Sequence, residues 1–552
     1  MWNTKGAMMK GVVKEVRNVS TVQKSGPTRR NVIAGGAALS FAAPALAQPA
    51  KVVKFVPHAD LTVVDPFRTT ANVTRNHALL VHDTLYSVDE ALTPQPQMVE
   101  GHIVEDDGLT WTLSLRDGLN WHDGEKVLAR DCVASIRRWA LSDSYGQTLL
   151  SATDELAAVD DRRLRFRLKR PFPLLPMALG KAGSALCAMM PERLAASDPD
   201  RPITDVVGSG PFRFVAADRI AGARVVYERN RAYVPRPGSA AGMIAGPKIV
   251  SIDRVEWHII PDAATAGAAL QAGEVDWWEL PTADLLPLLR RHPAIAVEVK
   301  DRLGYNGFLR VNHLHPPFND PAVRRALLHA VSQEDYAIAV AGTDPALWRA
   351  DLGFFTPGTP MASTVGMEVL TRPRDLDRAR REIAAAGHKG ARLVVLAPSD
   401  ISILKAQGDI GADLLARLGF AVDYQVTDWG TMVSRLRKMD PPDRGGWNVY
   451  HSAWAGLDQL DPAGHAALRS AGRALPRPGW PDSPKLEALR NAWIAARDPE
   501  TQKQIAQDIQ LQAFEDLPYI PIGQTLAPMA WRRSLAGVPD GLPVFWGLNK
   551  AA

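Results

Sequence analysis

The segment Trp454-Ala455-Gly456-Leu457-Asp458-Gln459-Leu460-Asp461-Pro462 concentrates binding chemistry: an indole and two carboxylates in a Gly- and Pro-bounded loop. A carboxylate beside an indole can hold a cationic amine by charge-assisted hydrogen bonding and cation–π contact. The competing structural role is an Asp-Pro turn in which Asp461 caps the helix that follows. Asp461 is expected in the turn, and Asp458 at a ligand. Fifteen tryptophans, seven of them from Trp429 onward, offer large rigid contact surfaces of the kind that line clefts, although most are expected in the core.

Catalytic patterns are scarce. The chain has no G-x-S-x-G elbow, H-E-x-x-H helix, C-x-x-C pair or P-loop. Gly208-Ser209-Gly210-Pro211 resembles a nucleotide loop superficially, but Pro211 lacks a backbone donor, so a turn before a strand at 212–215 is expected. His313 and His315 could share a strand face, yet two histidines without further spaced ligands point to hydrogen-bonded groups and not to a metal. Cys132 and Cys187 are expected as two small buried hydrophobes, and sequence does not decide whether they pair.

These residues must be positioned by mixed α/β structure. Val52 to Val56, Trp111 to Arg116, Leu164 to Leu168 and Val255 to Ile260 read as strands. Asp262 can cap a helix running to Ala272 and stopped by Gly273, ahead of a short strand from Glu274 to Trp278. Pro321 falls in the first turn of a helix behind Asn319-Asp320. Leu393–Leu396, a helix near Ile401–Leu418 and Ala421–Val426 form a β-α-β unit, which requires a parallel sheet. The apolar run Val449–Ala453 leads into the tryptophan–aspartate loop. Helices over Lys485–Ala496 and Glu500–Phe514 precede a Pro-rich tail.

The 552 residues exceed one ordinary core, and 46% hydrophobic with 22% charged residues exclude disorder and multi-span membrane architecture. Thr28-Arg29-Arg30 precedes an apolar, small-residue run that ends in Ala45-Leu46-Ala47. That is an export signal with a cleavage pattern, and its paired arginines resemble a twin-arginine (Tat) signal, with a Sec signal the alternative. The 27 residues before Thr28 are long for a signal, which leaves Met8 and Met9 as alternative starts. Residues 1–47 hold seven basic residues and one acidic residue. Removing them turns the formal charge of +4 into −2, with 57 of 64 basic and 59 of 60 acidic residues remaining. Nothing in that balance calls for nucleic acid or anionic lipid. No later apolar run reaches the ~18 residues of a membrane helix.

Eight blocks in order resemble the family 5 extracellular solute-binding proteins, the dipeptide-, oligopeptide- and nickel-type receptors of ABC importers. They are V-D-P at 64–66, H-D-T-L-Y at 82–86, P-Q-P-Q-M at 94–98, T-W-T-L-S-L-R-D-G-L-N-W-H-D-G-E at 110–125, V-G-S-G-P-F-R-F at 207–214, P-D-A-A-T-A-G-A-A-L-Q-A-G-E-V-D at 261–276, V-N-H-L-H-P-P-F-N-D-P-A-V-R-R-A-L at 311–327 and W-A-G-L-D-Q-L-D-P at 454–462. The resemblance implies a class II (cluster C) fold: two α/β lobes with a hinge and an extra subdomain on the first lobe. The expected divisions are the signal at 1–47, lobe I at 48–303 with a subdomain at about 75–200, lobe II at 304–520, and a return to lobe I at 521–552.

By the same resemblance, Asp458 after Trp454 would hold a peptide α-amino group, with Leu457 as one extra residue between them relative to common members. Thr69, Thr70 and Asn72 would line the cleft from the first lobe, and Tyr305 and Asn306 would lie near the hinge. No arginine stands out as partner for a peptide carboxylate, and no set of nickel or haem contacts is evident. The implied protein is a non-catalytic, monomeric periplasmic receptor without a cofactor. It would capture a peptide or peptide-like amine-bearing solute and dock on the permease and ATPase subunits of an importer. The alternatives are an envelope hydrolase with an unrecognised site, a receptor for a nickel chelate, haem or another non-peptide solute, and a sensor or chaperone on the same fold.

Overall fold

The structure, a computed structural model, describes residues 50–239, 242–475 and 477–550; the export signal expected over 1–47 lies outside them. Three larger sheets organise these residues. The first has seven strands, with Val52–Val56 in the middle and parallel to Arg254–His258 on one side and Trp277–Trp278 on the other. Helix Ala263–Ala272 makes the crossover between those two outer strands. It starts where Asp262 accepts the Thr265 N–H at 2.7 Å and stops at Gly273, whose φ of +80° a side chain would resist. Antiparallel strands complete the sheet: Arg224–Arg229 and Phe212–Phe214 at one end, Met529–Arg532 and Ile295–Glu298 at the other.

The four-stranded second sheet of the first half is antiparallel, in the order Val99–Glu105, Thr110–Leu115, Arg163–Leu168, Thr153–Ala158. Burial alternates strictly along Thr110–Leu115 and Arg163–Leu168, so one face packs inward and arginines 163, 165 and 167 face solvent. Helices Ala129–Ala140 and Ser144–Ala152 lie between its strands in sequence, the first carrying Cys132. Cys132 and Cys187 are both free and fully buried.

A six-stranded sheet follows, in the order Trp348–Arg349, Ile520–Thr525, Tyr305–Val311, Val449–Ala455, Arg392–Pro398, Ala421–Thr427. Arg392–Pro398, helix Ser402–Arg417 and Ala421–Thr427 form the parallel β-α-β unit read from the sequence. Leu393 through Pro398 are buried on both faces, as a covered parallel strand requires. The chain passes from the first sheet to this one between Glu298 and Tyr305. It returns between Thr525 and Met529, because Ile520–Thr525 still pairs with Tyr305–Val311, which places the return a few residues beyond the expected boundary at 520.

Eleven of the fourteen described tryptophans are buried, Trp257 and Trp277 among rings of Phe55 and Phe545 in the first half. Among the described residues no helix is long and apolar enough to cross a membrane.

Candidate functional site

Strand Val449–Ala455 runs directly into the tight turn Gly456–Gln459. Its first residue must be glycine: a Cβ there would lie 2.1 Å from the Leu303 carbonyl oxygen, and the Gly456 N–H donates to the Gly304 carbonyl at 2.8 Å. Beneath the turn, the Asn306 amide donates to Thr356 Oγ1 at 2.8 Å and Gln459 Oε1 at 2.9 Å. Thr356 Oγ1 in turn donates to the Gly456 carbonyl at 2.7 Å, and the Thr356 N–H to that of Gln459 at 3.1 Å. A buried polar network thus fixes the segment that carries Asp458.

Asp458 faces a segment of the first half of the chain. Its Oδ1 accepts from the Ser184 N–H at 2.8 Å and the Ser184 hydroxyl at 2.9 Å. Gly183 permits this approach, since a Cβ there would stand 2.3 Å from the same oxygen. Two further bonds join the same regions: Ser144 Oγ to the Gly464 carbonyl at 3.4 Å, and Arg490 Nη2 to Thr148 Oγ1 at 2.8 Å. Arg490 also donates to the carbonyls of Pro462 and Ala463, at 2.8 and 2.9 Å, and so braces the loop from helix Pro484–Ala495. Burial, then the neighbouring Arg469, pushes its guanidinium down to about 10.

Between these walls lies a cavity of about 20 Å³, lined by Tyr145, Met177, Lys181, Leu457, Asp458 and Asp461 among others. Lys181 donates to Asp143 Oδ2 at 2.6 Å, while Asp143 Oδ1 caps helix Ser144–Ala152. Asp461 Oδ1 accepts the N–H groups of Ala463 and Gly464, both at 2.8 Å, which is the expected turn. Burial raises the Asp461 carboxyl above the ordinary range. Burial, then Asp461, raises the Tyr145 phenol too.

A second polar cluster sits where helix Asn72–Val81 begins. Thr69 Oγ1 accepts the Ala71 N–H at 3.1 Å, and Thr70 is exposed. The Asn72 side chain lies against the Tyr305 hydroxyl, whose pKa is raised by burial and then by Glu279. Glu279 accepts from the His58 N–H at 2.9 Å, meets His58 Nδ1 at 2.8 Å, and accepts from Asn76 at 2.9 Å. Against the upward push of burial, His58 and Arg75 hold its carboxyl below the ordinary range.

The sequence-derived residues therefore fall into two groups. Of those expected at the ligand, Asp458 alone lines the cavity. Thr69, Asn72 and Tyr305 belong to the cluster at the start of the first helix. Asn306, expected to face the ligand near the hinge, is 1% exposed with both donors engaged, and it supports the turn from below. Trp454 is half-buried and stacks edge-on against Phe308 at 5.8 Å, on the strand face shared with Asn306. Tyr145, Lys181, Ser184 and Arg490 were missed. Lys181 carried a signal, as the sole charge between Arg170 and Glu192 in an otherwise apolar stretch. His313 and His315 each meet a different backbone carbonyl, those of Leu517 and Met439, and no metal-type cluster occurs among the described residues.

Two α/β halves joined by a double crossing, with polar loops facing each other across a small cavity, define a class II binding protein. The chain belongs to the bacterial extracellular solute-binding proteins, family 5, whose model matches residues 93–474. It is 36% identical over 526 residues to a probable peptide ABC transporter periplasmic-binding protein, y4tO, of Sinorhizobium fredii, covering 94% of this chain and 98% of that one. Among solved structures it resembles the DppA binding protein of Helicobacter pylori in complex with the peptide STSA (TM-score 0.76, 20% identity, 91% of this chain and 98% of that chain). It resembles equally AgaA of A. tumefaciens in complex with agropinic acid (TM-score 0.76, 19% identity, 91% and 99%).

Proposed function

We propose that the protein is the periplasmic receptor of an ABC importer and captures a peptide or peptide-like solute bearing a free amine. The observation that carries this reading is Asp458: a carboxylate on a rigidly supported turn beside the cavity, with one oxygen held by Ser184 of the first half of the chain and the other taking no hydrogen bond among the described residues. The relatives named as peptide-binding support it. The ligand would lie between the halves carrying the first and third sheets, with the divisions near 299–304 and 526–528 acting as the hinge and the four-stranded sheet as the extra subdomain. Closure draws its free energy from contacts that exist only in the closed form. The closed form of a monomer would then dock on the permease and its ATPases after export through the Tat route.

Purified protein incubated with a peptide library tests this against the hydrolase reading. Raised melting temperature with intact peptides supports the receptor, and turnover of any peptide overturns it. Asp458→Ala is expected to cost about 2–5 kcal/mol, roughly 30-fold or more in affinity for an amine-bearing ligand. Unchanged affinity removes Asp458 from the site.

A further inference from the structure

A second cavity, of about 490 Å³, lies outside the site described above and shares no lining residue with it. That volume falls in the range of small-molecule sites. Its walls are helix Ala129–Ala140, the strand Thr153–Ala158 and the segment from Glu192 to Pro199. They are fastened to one another. Arg137 Nη2 donates to the Leu156 carbonyl at 2.7 Å and ties helix to strand. Arg138 donates to the Ser197 and Arg201 carbonyls at 2.8 and 3.1 Å, and the Glu192 N–H donates to Asp131 Oδ1 at 2.8 Å. The fold itself therefore holds the space open.

The lining is aliphatic, with one unmatched charge. Val133, Ala134, Leu141, Leu156, Ala157 and Ala196 supply apolar surface, Leu141 being 63% exposed, and no aromatic ring lines the cavity among the described residues. Of the charged side chains that line it, Glu192 is matched by Arg130 at 3.4 Å, and the buried Arg138 by Asp65 at 3.5 Å. Arg137 has no carboxylate partner among the described residues and only the Leu156 carbonyl as acceptor. Arg138, 5% exposed, keeps its Nε–H without an acceptor as well. Donors thus outnumber acceptors here, and an anion corrects the balance.

Thr153–Ala158 ends its sheet, and an open sheet edge can take up a further strand. The Arg137 guanidinium already covers the Leu156 carbonyl, which obstructs that pairing and leaves the volume to a compact ligand. We propose that this cavity binds a free aliphatic monocarboxylate, its carboxylate on Arg137 and its hydrocarbon chain along Val133, Leu141 and Leu156. A guanidinium with N–H groups to spare suits a carboxylate. One unmatched positive charge selects a monoanion, and aliphatic walls reward burial of a chain. The inference concerns a different cavity from the one beside Asp458 and stands without the receptor reading.

Calorimetric titration of the mature protein with hexanoate, octanoate and decanoate tests it, with 1-octanol as the uncharged control. Octanoate is expected to bind about 10-fold more tightly than 1-octanol, the contribution of one charge-assisted contact. Affinity should rise about 3-fold with each added methylene. Arg137→Gln keeps an amide donor for the Leu156 carbonyl and removes the charge, while Leu141→Asp sets a carboxylate on an exposed part of the wall. Each is expected to weaken octanoate about 10-fold or more, with melting temperatures showing that both variants fold. No saturable binding by wild type, equal binding of octanoate and 1-octanol, or wild-type affinity in both folded variants overturns the proposal. Binding to phosphatidylglycerol vesicles without binding of free octanoate also overturns it, and assigns the face to a membrane surface. None of these outcomes bears on peptide binding at Asp458.

Discussion

Ser184 gives both its backbone N–H and its hydroxyl to one oxygen of Asp458, at 2.8 and 2.9 Å, across 274 residues of sequence. A charged acceptor held by two donors is fixed in direction, and its second oxygen is thereby aimed. This pair joins the two halves of the chain at the place where the ligand is expected.

Gly183→Ala puts a Cβ 2.3 Å from that oxygen and must push the pair apart. Affinity measured by calorimetric titration is expected to fall, while the melting temperature stays within a few degrees of wild type because the contact sits at the boundary and not in a core. Wild-type affinity in Gly183→Ala shows that the Ser184–Asp458 contact does not aim the carboxylate.

Asn306→Ala leaves Gln459 and Thr356 without their partner inside a closed network. Loss of about 1–3 kcal/mol of stability is expected, together with weaker ligand binding because the turn loses its support. Chemical denaturation of free protein gives the first quantity. Unchanged stability shows that the network re-forms without Asn306.

Gly456→Ala brings a Cβ to 2.1 Å from the Leu303 carbonyl oxygen, against backbone that has no side chain to swing away. A cost of about 1–3 kcal/mol is expected, as for other overpacked sites. Ser and Ala at this position are expected to behave alike, since both add the same first atom.

Acid is expected to weaken the fold well above the carboxylate range. Burial pushes His82 and His122 down to about 4, and His451 and His465 to about 3. The unfolded chain takes up these protons below about pH 6.5 and the folded chain does not. The stability linked to neutral histidine is therefore whole above pH 6.5 and drains as pH falls toward 4, each residue contributing up to about 1.4 kcal/mol per pH unit. Calorimetric scans at pH 7, 6 and 5 should show a falling melting temperature. A constant one means these histidines protonate within the fold.

Elements whose signals are local were legible. The Asp262 cap, the Gly273 stop, the Asp320-Pro321 helix start and the β-α-β unit at 392–427 all stand as the residues indicated. The Pro-rich tail read after Phe514 contains strands Ile520–Thr525 and Met529–Arg532, whose partners are some 200 residues away and leave no local trace. The site divides in the same way. Asp461 in its turn was legible, because an Asx turn is made with neighbours in sequence. Asn306 was misplaced because its partners Thr356 and Gln459 come from distant segments. Tyr145, Ser184 and Arg490 look ordinary in sequence and acquire meaning only from what the fold sets opposite them.

The bond from Gly456 N–H to the Gly304 carbonyl ties the turn bearing Asp458 to one of the two connecting segments, and Gln524 Nε2, at the end of the strand that leads into the other, donates to the Leu303 carbonyl at 2.8 Å. The turn that bears the carboxylate is thus anchored to the stretch that joins the two halves, while its partner Ser184 belongs to the other half. In the proposed receptor, opening would part this pair and leave Asp458 with the connectors, so capture and closure would become sequential strokes of one mechanism.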